Sequence, residues 1–353
     1  MIIILIIDLI QKVNIMKCKF IKLKDKNKEI NNEIITNISL LDTIDKNKNT
    51  YWCGTMQLCW NDLIDNIAKK NIKFNPQLSI VKNLNKKSFL KDNISDSDIY
   101  TFVGKATKNA QINIEKSIKE KFNEKGDVLN SIEWVDKENE ANDICYALLK
   151  KEFFFNNKFN KLENGTFKNK FDIKYFGFNS RPKSDLKNQV IVLFYNDENN
   201  FAIKLKTSTK DEVIFYKNPK GNTFKEMYEN LKVNIEKFPL TATYDDKLKI
   251  PYINFKNITR FNDLENKSFV YADGTTHYIG TAMQTINFDL KESGGEIKSE
   301  AVLSMIKGAA ANFSECESKK LYIDDTFTMF LIEKDKNVPY FAMYINDISP
   351  LQN

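Results

Sequence analysis

Apolar residues along the chain change rhythm several times, and each rhythm predicts an element. Met56, Cys59, Trp60, Leu63, Ile64 and Ile67 recur at the three-and-four spacing of one helical face, so a buried helix is predicted to begin near Thr55. Ala106, Ala110, Ile114, Ile118 and Phe122 lie four apart under a Lys/Glu outer face. They predict a second helix over residues 101–122, with Gly126 as its stop. A third helix is predicted over residues 223–238, where Phe224, Met227, Tyr228, Leu231 and Ile235 share a face. Residues 144–155 read as a strand or a helix that runs into an aromatic cluster. Residues 172–178, 189–195, 201–207 and 212–216 are β-rich runs separated by Asn, Asp, Lys and Pro, and residues 190–205 predict a hairpin. Strands dominate again beyond Leu248, at 249–255, 280–290, 327–333 and 340–345.

Helices early, strands late and no regular β-α alternation define an α+β chain rather than a doubly wound parallel sheet. The hydrophobic share of 42%, with 12% aromatic residues, fills a substantial core. No internal repeat and no Pro/Gly/Ser-rich linker divides the chain, so residues 16–353 are expected to form a single domain. The run from Met1 to Ile7 meets Asp8 at once and is too short to span a bilayer. Residues 1–15 therefore read as a leader or a mis-assigned start before Met16. The expectation is a cytoplasmic protein with no membrane partner, the alternative being secretion if residues 1–15 act as a signal.

Charge narrows the partners. Lys and Arg outnumber Asp and Glu by 53 to 47, but the only arginines are Arg181 and Arg260. Base reading leans on arginine forks, so no nucleic-acid partner is expected. The Lys, Asn and Ile excess fits an AT-rich, bacterial genome. Five widely spaced cysteines (Cys18, Cys53, Cys59, Cys145, Cys316) contain no C-x-x-C pair and read as reduced and partly buried. The single histidine, His277, reads as a loop or strand-edge residue. Neither a metal site nor a cofactor is expected. Adjacent acids such as Asp324-Asp325 and Asp245-Asp246 point to opposite faces of a strand, and no G-x-S-x-G occurs, so no catalytic residue is assigned.

One region carries a family signature. Residues 281–290 form an apolar strand, followed by Lys291-Glu292-Ser293-Gly294-Gly295-Glu296 and then Ile297-Lys298-Ser299-Glu300-Ala301. Downstream come Leu321-Tyr322-Ile323-Asp324-Asp325-Thr326-Phe327 and the last run, 339–348, before Pro350. Over residues 280–350 this order and spacing resemble the closing part of serpins: the strand and hinge that lead into a reactive-centre loop, then two closing strands. Tyr146-Ala147 with the aromatics after it, and residues 249–255, are similar to further serpin strands. The resemblance implies N-terminal helices packed on large, mostly antiparallel β-sheets. It also implies a hinge made of Glu292, Gly294, Gly295, Glu296, Ser299 and Ala301, and a scissile region near Lys307, Gly308 and Ala309. In serpins the hinge segment inserts as a new strand of the main sheet, which buries every second side chain. Gly295, Ile297, Ser299, Ala301, Leu303 and Met305 would face inward. Ile297, Lys298 and Glu300 depart from the small residues of inhibitory members. The reading is therefore a non-inhibitory interaction protein with a protein partner, a protease among the candidates. Its alternatives are a serine or cysteine protease inhibitor acting through a loop near 296–315, and an unassigned enzyme. Residues 296–312 also fit an amphipathic helix, with Ile297, Ala301, Val302 and Met305 on one face.

Overall fold

The computed structural model describes residues 34–179, 181–237, 239–243, 245–297 and 318–352. Its first strands are β1 (Ile34–Asn37), β2 (Asn49–Cys53), β3 (Ile99–Lys105), β4 (Asp143–Leu149), β5 (Lys151–Phe154) and β6 (Asn160–Lys161). A middle group follows: β7 (Gly165–Phe167), β8 (Lys170–Ile173), β9 (Tyr175–Phe178), β10 (Val190–Asp197), β11 (Asn200–Lys206), β12 (Asp211–Lys217) and β13 (Leu240–Thr241). The last are β14 (Lys247–Pro251), β15 (Ile253–Arg260), β16 (Ser268–Val270), β17 (Thr276–Tyr278), β18 (Met283–Lys291), β19 (Gly294–Ile297), β20 (Lys320–Tyr322), β21 (Phe327–Glu333) and β22 (Phe341–Ile345). The α-helices are α1 (Thr55–Asp62), α2 (Ser79–Leu84), α3 (Lys108–Phe122), α4 (Ser184–Asn188) and α5 (Phe224–Asn234).

Three sheets carry the architecture. The largest has the order β1-β2-β22-β21-β12-β11-β10-β13, and two four-stranded sheets have the orders β15-β18-β19-β5 and β20-β14-β9-β6. Pairing is antiparallel except for β1 with β2 and β14 with β20. Every residue of β21 and β22 is buried, because these strands lie inside the large sheet with protein on both faces. That position explains why they read as unbroken apolar runs in the sequence. By contrast β18 alternates strictly, with Gln284, Ile286, Phe288 and Leu290 buried and the residues between them half-exposed. Its inner face meets the large sheet through Phe288, whose ring stacks on Phe341 at 5.0 Å.

The α+β expectation, with large and mostly antiparallel sheets, describes this architecture. Several local expectations need correction. Residues 101–105 belong to β3 rather than to a helix, since the run Tyr100-Thr101-Phe102-Val103 is β-branched and aromatic and pairs with β4. The helix starts at Lys108, where the Thr107 hydroxyl accepts the Ala110 amide at 3.1 Å. It stops at Asn123, whose left-handed φ of 56° ends the helix before Gly126 is reached. Residues 144–155 are two successive strands. The third helix ends at Asn234, so Ile235 lies outside it and is partly exposed. Glu296 and Ile297 belong to β19, so a helix cannot begin there, and residues 298–312 lie outside the described residues. The leader expected over residues 1–15 also lies outside them.

Candidate functional site

The segment that the resemblance marks as a hinge falls where β18 turns back into its own sheet. After Lys291 the chain reverses within Glu292 and Ser293, then runs as β19 antiparallel to β18 on one side and to β5 on the other. Two glycines permit the approach. Gly294 has a φ of +142°, and a Cβ there would stand 2.1 Å from the Phe153 carbonyl oxygen. Gly295 lies over the Phe153 ring, which a Cβ would meet at 2.3 Å.

A clamp fixes the turn. Glu292 is only 6% exposed, and its carboxylate accepts the Tyr252 hydroxyl at 2.7 Å and faces the ammonium groups of Lys158 (3.3 Å) and Lys161 (3.7 Å). Burial opposes its ionisation, but the bonds from Tyr252 and Lys158 outweigh burial and hold the carboxyl below its ordinary value. Burial, together with the adjoining Glu292, pushes the Tyr252 phenol up. The backbone is tied as well, since the Phe159 amide donates to Glu292 O at 2.9 Å and the Phe155 amide to Ser293 O at 3.0 Å. Beneath lies an aromatic block: Phe155 meets Phe159 edge-on at 5.0 Å, and Phe176 meets Tyr252 at 5.4 Å.

A second polar cluster anchors β5, two residues from Phe153. The Lys151 ammonium, 2% exposed, contacts Asp98 Oδ2 (2.7 Å), Asp211 Oδ1 (2.8 Å) and Glu333 Oε1 (2.7 Å). Tyr340 donates to Asp211 at 3.0 Å, and the Ser95 hydroxyl donates to Glu333 at 2.7 Å. Each of the three ammonium N–H groups can therefore reach its own carboxylate, and the surplus acceptors are met by neutral donors. The Lys151 backbone is the register partner of Ile297, so this cluster lies under the end of β19.

Of the predicted hinge residues, the structure brings Glu292, Gly294, Gly295 and Glu296 together in the turn and β19. Ser299, Ala301, Lys307, Gly308 and Ala309 lie outside the described residues. Tyr252, Lys158, Lys161 and Lys151 were missed. Lys151 left a signal, because Cys145, Ala147, Leu149, Lys151 and Phe153 share one strand face and only the lysine is polar. The Tyr252–Glu292 pairing spans 40 residues and leaves none.

The candidate chemistry set aside in the sequence has structural explanations. Asp246 accepts the amides of Thr243 (2.8 Å) and Lys319 (2.7 Å), while Asp324 pairs with Lys217 at 2.6 Å. His277 is in the edge hairpin β16–β17, stacked on Tyr271 at 3.5 Å. Cys53, Cys59 and Cys145 carry free thiols, and burial raises all three, Cys59 to about 12, so little thiolate forms at neutral pH. Among the described residues no group of three His, Cys, Asp or Glu side chains is arranged to hold a metal, and no helix is long and apolar enough to cross a membrane.

β18 reverses through the glycine pair into its own sheet, and β21 and β22 lie side by side in the largest sheet, the order of strands that the serpin resemblance implied over residues 280–350. No family model and no curated protein matches the sequence. Solved structures similar to the chain include human thyroxine-binding globulin complexed with thyroxine, at 11% identity and a TM-score of 0.48, covering 84% of this chain and 91% of that one. The thermophilic serpin Tengpin in its native state has 11% identity and a TM-score of 0.47, with 88% and 92% covered. Serpin48 of the insect Tenebrio molitor has 8% identity and a TM-score of 0.43, with 84% and 91% covered.

Proposed function

We propose that this chain is a serpin-like binding protein that engages a protein partner without trapping proteases, and that it acts in the cytoplasm. The observation that carries the reading is one rung of the hinge sheet. There Glu296 pairs in backbone register with Asp289 of β18 and with Glu152 of β5. Like charges directly opposite one another weaken a ladder. A segment that must insert before hydrolysis of its bond to the protease sets that protease free gains nothing from such a rung. The clamp on Glu292 and Ser293 favours the same reading, since it holds a short insertion in place rather than leaving the hinge free to run.

Incubation with trypsin-like, elastase-like and papain-like proteases tests this. The expected result is cleaved chain and free protease on a denaturing gel. A denaturant-stable complex in near-stoichiometric yield would overturn the proposal and favour the inhibitor reading. One observation does favour that second reading: among the described residues, Met283–Phe288 of β18 pair with β15 alone and β4 pairs with β3 alone, which leaves an edge of each without a partner strand.

A further inference from the structure

The outer face of the eight-stranded sheet is covered at one end by α5, where Tyr228 packs on Phe330 at 5.2 Å. Beyond α5 a trough of about 380 Å³ lies across β10, β11 and β12. Register explains what it presents. Ile191 pairs with Lys204, and Lys206 pairs with Glu212, so these four side chains occupy adjacent rungs of one face. Leu193, 4% exposed, completes an apolar floor with Ile191, and Lys334 closes the side beyond β21.

The charges in this trough do not balance. Among the described residues Glu212 is the single carboxylate lining it, and Lys204 already holds it at 2.8 Å. Lys206 and Lys334 have no carboxylate partner among the described residues. The Lys206 ammonium donates to the Asn188 carbonyl at 3.1 Å, and that of Lys334 to the Thr209 carbonyl at 2.9 Å. An ammonium has three N–H donors, so each keeps hydrogen-bonding capacity for an anion. Two uncompensated cations beside an apolar floor suit a molecule with one anionic head and a short hydrocarbon body. The volume lies within the roughly 300–1,000 Å³ of small-molecule pockets.

We propose that this trough binds a small amphipathic anion, a medium-chain carboxylate in chemical class, with its head between Lys206 and Lys334 and its tail on Ile191 and Leu193. The site lies on a different sheet from the hinge, so it stands whether or not the chain inhibits proteases. Titration calorimetry on the full chain with octanoate, 1-octanol and acetate as probes tests it. Octanoate is expected to bind at one site, at least about ten-fold more tightly than either octanol or acetate, because only octanoate satisfies both halves of the trough. Lys206→Met and Lys334→Met should each weaken octanoate roughly five-fold, as befits exposed charge pairs. The Lys206→Arg/Lys334→Arg double variant should retain binding, and Lys168→Met, on another part of the surface, should leave it unchanged. Octanol binding as tightly as octanoate, acetate doing so, or a Lys206→Met/Lys334→Met protein with intact melting and undiminished octanoate affinity would overturn the proposal.

Discussion

Lys151 shows how one side chain can hold several elements in register. Its ammonium joins β5 to β12 through Asp211, to β21 through Glu333, and to the turn before β3 through Asp98. Burial opposes its charge, but the three carboxylates more than offset this and raise its pKa. Removing the lysine leaves two nearly fully buried carboxylates and one partly buried one without their cation. Lys151→Met is therefore expected to destabilise the fold by about 3–5 kcal/mol, read from urea unfolding at neutral pH. Acid should expose the same cluster from the other side. Burial alone would raise Glu333, yet its bonds from Lys151 and Ser95 hold it below its ordinary value of 4.5, and Glu292 is depressed in the same way. A depressed carboxylate contributes stability above its unfolded pKa and loses that contribution as pH falls through the folded one. Stability limited by these groups should thus hold from about pH 7 to 5 and decline below about 4.5. Urea melts across that range should show a shallower acid decline in Glu333→Gln than in the parent protein.

At the scale of elements, the hinge turn depends on a glycine that no other residue can replace cheaply. Gly294 combines a φ of +142° with a Cβ position blocked by a backbone oxygen, whereas Gly295 is blocked only by the Phe153 ring. Gly294→Ala should cost more than about 2 kcal/mol, from conformational strain and the forced separation of β19 from β5. Gly295→Ala should cost less, since a ring can shift. Thermal melts of the two variants check the order, and equal losses would mean that the backbone clash is relieved by movement of β19. The glycine pair and the alternating strand before it were legible in the sequence, whereas β19 was not, because the residues from Glu296 onward also fit an amphipathic helix. Boundaries were less legible where two propensities overlapped. Ala106 extends the spacing of α3 backwards and masks the end of β3, and Gly126 is a more conspicuous stop than Asn123, which in fact adopts the left-handed conformation. The clamp was invisible for a different reason: Tyr252, Lys158 and Lys161 approach Glu292 only once β14, β6 and β18 have found their sheets.

For the whole molecule, the decisive quantity is what a cut between residues 297 and 318 would do to stability. The closing strands β21 and β22 are fully buried in the large sheet, and β18 reaches that sheet through Phe288 on Phe341, so a cut between residues 297 and 318 leaves both sheets assembled. Were the freed segment to continue β19 along the unpaired edges of β18 and β4, each added residue would gain ladder hydrogen bonds and bury every second side chain. The cleaved chain would then melt well above the intact one. The rung at Glu296, in backbone register with Asp289 and Glu152, offsets part of that gain at the start of the strand. The expected outcome is that trypsin cleavage within residues 298–317 leaves the melting temperature within a few degrees of the intact protein. Differential scanning calorimetry on nicked and intact samples decides the matter. A large rise on cleavage would mean that the segment inserts fully, and the charged rung of β19 would then have to be neutralised by contacts across the sheet.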